Sequence, residues 1–161
     1  MEEHQGGCLC GQLRYRVRTE AAQRVAYCHC KFCQRSTGGA YAIEPFFKAE
    51  EFEIIAGTAS VYDHQSSGSG KMLHLTFCPK CGTKVSNKMD RYPDLIAVMA
   101  GTFDDPEWFE PAKVIRHVFT SFARKGTVIP PSINTYEAAA LTNDGQPNPP
   151  VVYEDFHVVG R

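Results

Sequence analysis

In the segment QLRYRVR, Leu13, Tyr15 and Val17 alternate with Gln12, Arg14, Arg16 and Arg18. A period of two predicts a strand with one buried face and one wet face. Further apolar stretches bounded by turn residues predict strands over 40–47, 52–56, 60–63, 71–77, 95–100 and 114–119. One helical turn is expected at 31–35, ended by Gly38 and Gly39, which break a helix at low steric cost. Between Asp63 and Lys71 the run HQSSGSG holds nothing to bury, so an exposed, mobile hairpin loop is expected there.

The last third has a different texture. After Val128 come IPPS, then YEAAALT with room for a short helix, then the linker-like NDGQPNPP. The closing VVYEDFHVV is apolar enough to dock as an edge strand or onto a partner. No internal repeat is present. The pattern as a whole predicts a mainly β chain of antiparallel sheets with one or two short helical turns.

Composition narrows the class of protein. A length of 161 residues suits one domain, large enough for a core yet small enough for a metal staple to matter. A formal charge of −1, with lysines and arginines scattered among acids, gives no general attraction to nucleic acid or to an anionic membrane. No apolar run approaches the roughly 20 residues that span a bilayer. The opening MEEHQGG has no basic region followed by an apolar stretch, so a soluble protein of a reducing, cytoplasmic compartment is expected.

The seven cysteines change the picture most. Cys8 and Cys10 form one pair, Cys78 and Cys81 in FCPKCG another, and Cys28, Cys30 and Cys33 a triplet. In extended chain, residues i and i+2 project to one face, so each Cys-x-Cys offers two sulfurs to one ion. A single turn does the same for Cys30 with Cys33 and for Cys78 with Cys81, and Gly11 and Gly82 follow the pairs with the permissive backbone such turns need. The rival readings are a disulfide framework and isolated buried thiols, but disulfides require an oxidising compartment and normally leave no odd cysteine. Two pairs and a triplet divide as four plus three: a closed structural site of Cys8, Cys10, Cys78 and Cys81, and a second site of Cys28, Cys30 and Cys33 with one position open. Four thiolates around zinc make a structural site, and an open position is a catalytic arrangement.

The motifs GGCLCGQLRYRV, YCHCKFCQRSTGG, FCPKCGTKV, AGTFDDP and HVFTSFARKGTV, in that order over roughly residues 5–126, resemble the glutathione-dependent formaldehyde-activating enzyme family, also called the centromere protein V type. The resemblance implies an Mss4-like β-tent with zinc knuckles. It implies a structural zinc on Cys8, Cys10, Cys78 and Cys81 and a catalytic zinc on Cys28, Cys30 and Cys33. The implied activity is that of a carbon–sulfur lyase acting on a thiol–aldehyde adduct, such as that of glutathione with formaldehyde. On this reading residues 1–128 form the zinc-binding catalytic domain and 129–161 a C-terminal extension. After Ser121 and Phe122 this chain carries Ala123, Arg124 and Lys125 where the family commonly has alanine–proline–tryptophan, a departure in the aromatic wall of the pocket.

Residues around the triplet have a functional and a bland reading. Lys31 and Arg35 are candidates for binding the carboxylates of a glutathione-like peptide, against solvated charges on a turn. The STGG run is an anion nest or a plain turn. His29, between two ligands, should point to the face opposite both sulfurs. His74 and His117 read as packing or hydrogen-bonding residues, and Trp108 with the nearby phenylalanines as core. Two other classes compete with the enzyme: an Mss4-like zinc module that binds protein, its second site closed by a residue of the chain, and a zinc-ribbon nucleic-acid binder, which lacks the basic stripe with interleaved aromatics.

Overall fold

The structure, a computed structural model, describes residues 2–106, 108–109 and 114–160. The first strands are β1 (Glu3–Gly7), β2 (Arg14–Arg18) and β3 (Arg24–Cys28), followed by the helix α1 (Lys31–Thr37). Then come β4 (Ala42–Lys48), β5 (Phe52–Ala56), β6 (Ser60–Gln65), β7 (Met72–Phe77), β8 (Lys84–Met89) and β9 (Leu95–Val98). The series ends with β10 (Ile115–Val118), β11 (Val128–Ile129), β12 (Asn134–Thr135) and β13 (His157–Val158). The protein is mainly β, as the alternation predicts. No described helix is long and apolar enough to cross a membrane. The chain divides into two compact units, 1–25 with 44–113 and 26–43 with 114–161.

In the first unit β1, β2 and β5 make an antiparallel sheet with β2 in the middle. Leu13, Tyr15 and Val17 are fully buried. Burial of side chains this size stabilises by about 1.5–3 kcal/mol each. The alternating arginines face outward and pair, Arg14 with Asp104, Arg16 with Glu53 and Arg18 with Glu3. Gly6 lies opposite Tyr15 in the register. A Cβ at Gly6 would come within 2.3 Å of the Tyr15 Oη and 2.4 Å of the Thr102 carbonyl, so only glycine fits.

The strands β4, β9, β8, β7 and β6 are neighbours in that order and pair antiparallel in this unit. Phe46, Phe47, Val85 and Ile96–Met99 fill the interior. Trp108 stacks on His4 at 3.5 Å and on Phe47 at 5.6 Å, so it packs with its phenylalanine neighbours. β6 and β7 pair from Ser60↔Phe77 to Gln65↔Met72 and are joined by the expected hairpin loop. β9 stops at Val98, two residues earlier than expected. Thr102 sends both its amide and its hydroxyl to the Met99 carbonyl and so winds Ala100–Thr102 into a 3-10 turn.

In the second unit β10 lies between β12 and β3. β10 and β12 run parallel, with His117 opposite Thr135. β13 pairs antiparallel with β11, so the end of the chain returns as an edge strand, the first of the two roles its apolar residues suggested. The helix suggested by YEAAALT is absent. The carbonyls of Tyr136, Glu137 and Ala138 instead accept the amides of Thr120, Ser121 and Phe119, which holds the segment extended.

Candidate metal centres

Two groups of cysteine sulfurs assemble, each from local turns. In the first unit the Cys8 amide donates to the Leu13 carbonyl and the Gly11 amide to the Cys8 carbonyl, both at 3.0 Å. The second knuckle repeats the device, Cys78 to Thr83 at 3.0 Å and Gly82 to Cys78 at 2.9 Å. Gly11 and Gly82 turn the chain at φ 74° and 72°, where a side chain would be strained. The sulfurs of Cys8, Cys10, Cys78 and Cys81 all lie within 4.8 Å of one another. Cys8 and Cys10 are 3.5 Å apart, Cys10 and Cys78 3.8 Å. Ligands at the Zn–S length of about 2.3 Å on a tetrahedron stand about 3.8 Å apart, so the spacing fits a four-thiolate ion. It excludes disulfides, whose sulfurs lie about 2.05 Å apart.

Electrostatics leads to the same donor set. The Thr83 hydroxyl, then the amides of Thr83 and Cys10, pull the Cys81 thiol down to about 5. The Gln12 amide lowers Cys10, yet burial and the sulfurs of Cys8, Cys81 and Cys78 outweigh it and push that thiol up to about 11. Four adjacent thiolates cannot share this space without a cation to offset their repulsion.

The triplet belongs to the second unit. β3 delivers Cys28 at its last residue, Cys30 caps α1, and Cys33 sits in the first turn of that helix. α1 runs two residues beyond the expected turn and ends at Gly38, φ 71°. The three sulfurs lie within 4.8 Å of one another. The thiols of Cys28 and Cys33, then the amides of Cys33 and Phe32, bring Cys30 down to about 3 against burial, a shift that favours its thiolate. Among the described residues no other cysteine, histidine or carboxylate lies close enough to join this group.

The flanking side chains divide sharply. Lys31 and Arg35 are exposed on α1, and among the described residues neither forms an ion pair. His29 is wholly buried, with its Nε2 3.0 Å from the Nδ1 of His117, itself 3% exposed. Burial lowers both histidines, His117 to about 4, where the neighbouring His29 adds to the effect. Gln34, Tyr27 and Tyr41 surround this pair and had no distinguishing sequence signal. Gln34 is one polar residue in a polar helix, Tyr41 reads as an ordinary residue of the strand expected at 40–47, and Tyr27 lies in β3, where no strand is expected. His74, as expected, is a hydrogen-bonding residue, held between Asp63 and Asp90 at 2.7 and 3.1 Å.

Comparison with known proteins locates the whole arrangement. A solved Rhodobacter sphaeroides protein, a structural-genomics target, superposes with a TM-score of 0.50 over 62% of this chain and 87% of its own, at 20% identity, a likeness of fold. A Halomonas elongata protein, provisionally named a glutathione-dependent formaldehyde-activating enzyme, is 28% identical over 102 residues, 62% of this chain. The match spans 65% of that relative's length. The model of the glutathione-dependent formaldehyde-activating enzyme family matches residues 3–121, a stretch that holds all seven cysteines and both sulfur groups. By that match, over well more than half its length, the chain belongs to the glutathione-dependent formaldehyde-activating enzyme family.

Proposed function

We propose that the protein is a zinc-dependent carbon–sulfur lyase-like enzyme that makes or cleaves a thiol–aldehyde adduct, such as S-hydroxymethylglutathione from glutathione and formaldehyde. The observation that carries this reading is the inequality of the two sulfur groups. One has four donors; the other has three and no fourth among the described residues. Cys8, Cys10, Cys78 and Cys81 would hold a structural zinc, and Cys28, Cys30 and Cys33 a catalytic one. Zinc bound by three thiolates keeps a position for an exogenous ligand and favours the thiolate form of a thiol near neutral pH.

The residues of the chain prepare that site. Hydrogen bonds from the Cys28 and Cys33 thiols and from the amides of Cys33 and Phe32 favour the thiolate of Cys30, the form that binds a metal. Lys31 and Arg35, exposed on α1 and in no ion pair among the described residues, suit the carboxylates of a peptide thiol. In the adduct-forming direction a sulfur lone pair of the thiol forms the C–S bond to the aldehyde carbon. The carbonyl π pair moves to oxygen, which takes a proton, while the thiol proton passes to solvent. The reverse reaction cleaves the same bond. Seven reduced thiols suit a cytoplasmic setting.

The test follows thiol binding and turnover together. With cobalt in place of zinc, thiolate-to-cobalt absorption should change as glutathione is titrated into wild type and not into Cys33→Ser. Turnover of S-hydroxymethylglutathione should be lost in the same variant. A spectrum indifferent to thiols, with a residue of the chain as the fourth ligand, would instead favour a protein-binding module.

A further inference from the structure

We propose that His117, together with Gln34, is a positioning residue for the cysteine triplet: the two clamp His29 and so hold the Cys28–His29–Cys30 bend in the shape that retains a metal ion. The inference rests on the reading of the triplet as a metal centre. His29 is the single residue between two of the three sulfur-bearing positions, so a rotation of its backbone displaces both sulfurs.

The backbone N–H, the carbonyl and the ring Nε2 of His29 are each held by residues of the second unit. Its N–H donates to the Val118 carbonyl at 3.0 Å. Its carbonyl accepts from Gln34 Nε2 at 2.7 Å, and the same amide group donates to the Phe122 carbonyl at 2.9 Å. Its ring meets the Nδ1 of His117 at 3.0 Å. Tyr27 lies flat on His117, centroids 4.8 Å apart and planes 15° apart, and Tyr41 leans on His29 at 5.0 Å. Rings packed this way cannot swing apart, so the two nitrogens are kept within hydrogen-bond distance.

The ring chemistry supports an orienting role. The Nδ1 of His29 is buried and has no hydrogen-bond partner among the described residues. An orphaned N–H is rarer in folded proteins than an under-satisfied acceptor, so the proton belongs on Nε2, which donates to His117 Nδ1. His117 therefore acts as an acceptor fixed in space. The end of its strand is fixed as well. Phe119, directly after β10, is held at φ 59° and ψ 38°, a costly conformation for a bulky residue, and the amides of Phe119, Thr120 and Ser121 are all bonded to 136–138. Strain of about 1–3 kcal/mol persists only where the surroundings over-determine it.

Partners beyond the ligands typically govern metal affinity by about 10–100-fold. The experiment is zinc release from the full-length, zinc-loaded protein into excess chelator, with cobalt-substituted samples reporting which site has emptied. His117→Phe keeps the ring stack and removes the acceptor; it should release the triplet zinc about tenfold faster and leave the four-sulfur site unchanged. His117→Asn, whose side-chain oxygen sits near the former Nδ1, should restore retention. Should the phenylalanine variant not fold, Gln34→Met removes the other half of the clamp from a half-exposed position and should accelerate release likewise. Release from a folded variant at the wild-type rate, or equal loss in the phenylalanine and asparagine variants, overturns the clamp. Wild type that holds no metal at the triplet, with the same zinc content as Cys33→Ser, overturns the metal reading beneath it, an outcome distinct from a loaded triplet indifferent to His117.

Discussion

The sulfur of Cys30 accepts the backbone N–H of Cys33 at 3.3 Å, so the residue that opens α1 is itself one of the three clustered thiols. Capping the helix and gathering the sulfurs are one act of folding. A thiolate also suits the positive end of a helix, which lowers cysteine pKa values generally. The four-sulfur group has no helix, and its thiols are tuned by Thr83 and loop amides instead. The two groups should therefore respond differently to perturbation.

Zinc content is the first consequence. Native protein should carry two zinc ions, one for each group of sulfurs, and the three-sulfur site should yield its ion first to a chelator. Elemental analysis before and after graded chelation checks this.

Loss of a ligand should separate folding from activity. A closed zinc site contributes about 10–16 kcal/mol in small zinc domains, as much as a typical net stability of about 5–15 kcal/mol. Cys81→Ser should accordingly give unfolded or aggregated protein, whereas Cys33→Ser should stay folded and lose adduct turnover. Thermal melts beside the turnover assay decide, and equal damage in both variants would refute the division.

Gly6→Ala tests the packing of the first sheet. Its new Cβ would overlap the Tyr15 hydroxyl and the Thr102 backbone. Tyr15 is fully buried with its hydroxyl 2.8 Å from Thr102 Oγ1, so the overlap has no soft exit. Overpacking of this kind costs about 1–3 kcal/mol. Denaturant midpoints should fall accordingly, and a smaller loss is expected from Gly101→Ala, where the added atom meets open space.

His74 should make a pH-dependent contribution. The hydrogen bonds to Asp63, then Asp90, raise its pKa above the ordinary histidine value, opposed slightly by burial. Lys88, its register partner on β8, adds an opposing positive charge nearby. A raised folded pKa means stability that is fully present below the unfolded value of about 6.5 and lost as pH climbs through the folded value. The melting temperature of wild type should exceed that of His74→Ala more at pH about 6 than at about 9, and less in high salt because the cluster is partly exposed. An NMR titration of His74 gives the folded pKa directly.

Several elements could be read in advance for identifiable reasons. β2 announces itself because one face is dry and the other wet, and β5 because its run FEIIA is bounded by a glycine turn. β1, β3 and β8 do not. The sequence of β1 is EHQGG, with no apolar side chain to reveal a period, and its place depends on Gly6 allowing Tyr15 to pass. In β8 the buried positions include Ser86 and Asn87, the latter donating its Nδ2 to Glu44 at 2.7 Å, so polarity there conceals burial. YEAAALT has good helix formers, but its carbonyls find partners across the chain, and tertiary hydrogen bonds overrule propensity.

The sequence by itself determined the two sulfur pairs and the triplet, because i, i+2 and i, i+3 spacings are local geometry and such a knuckle needs little more than a turn and a glycine to form. It determined the mainly β class by the same token, since period-two alternation reflects a backbone with two faces. Only the tertiary structure decided that Cys8 and Cys10 meet Cys78 and Cys81, nearly seventy residues away, and that His29 is clasped by His117 across eighty-eight. Those meetings depend on which strands pair, a choice made by the summed burial of the whole unit rather than by any short run of residues.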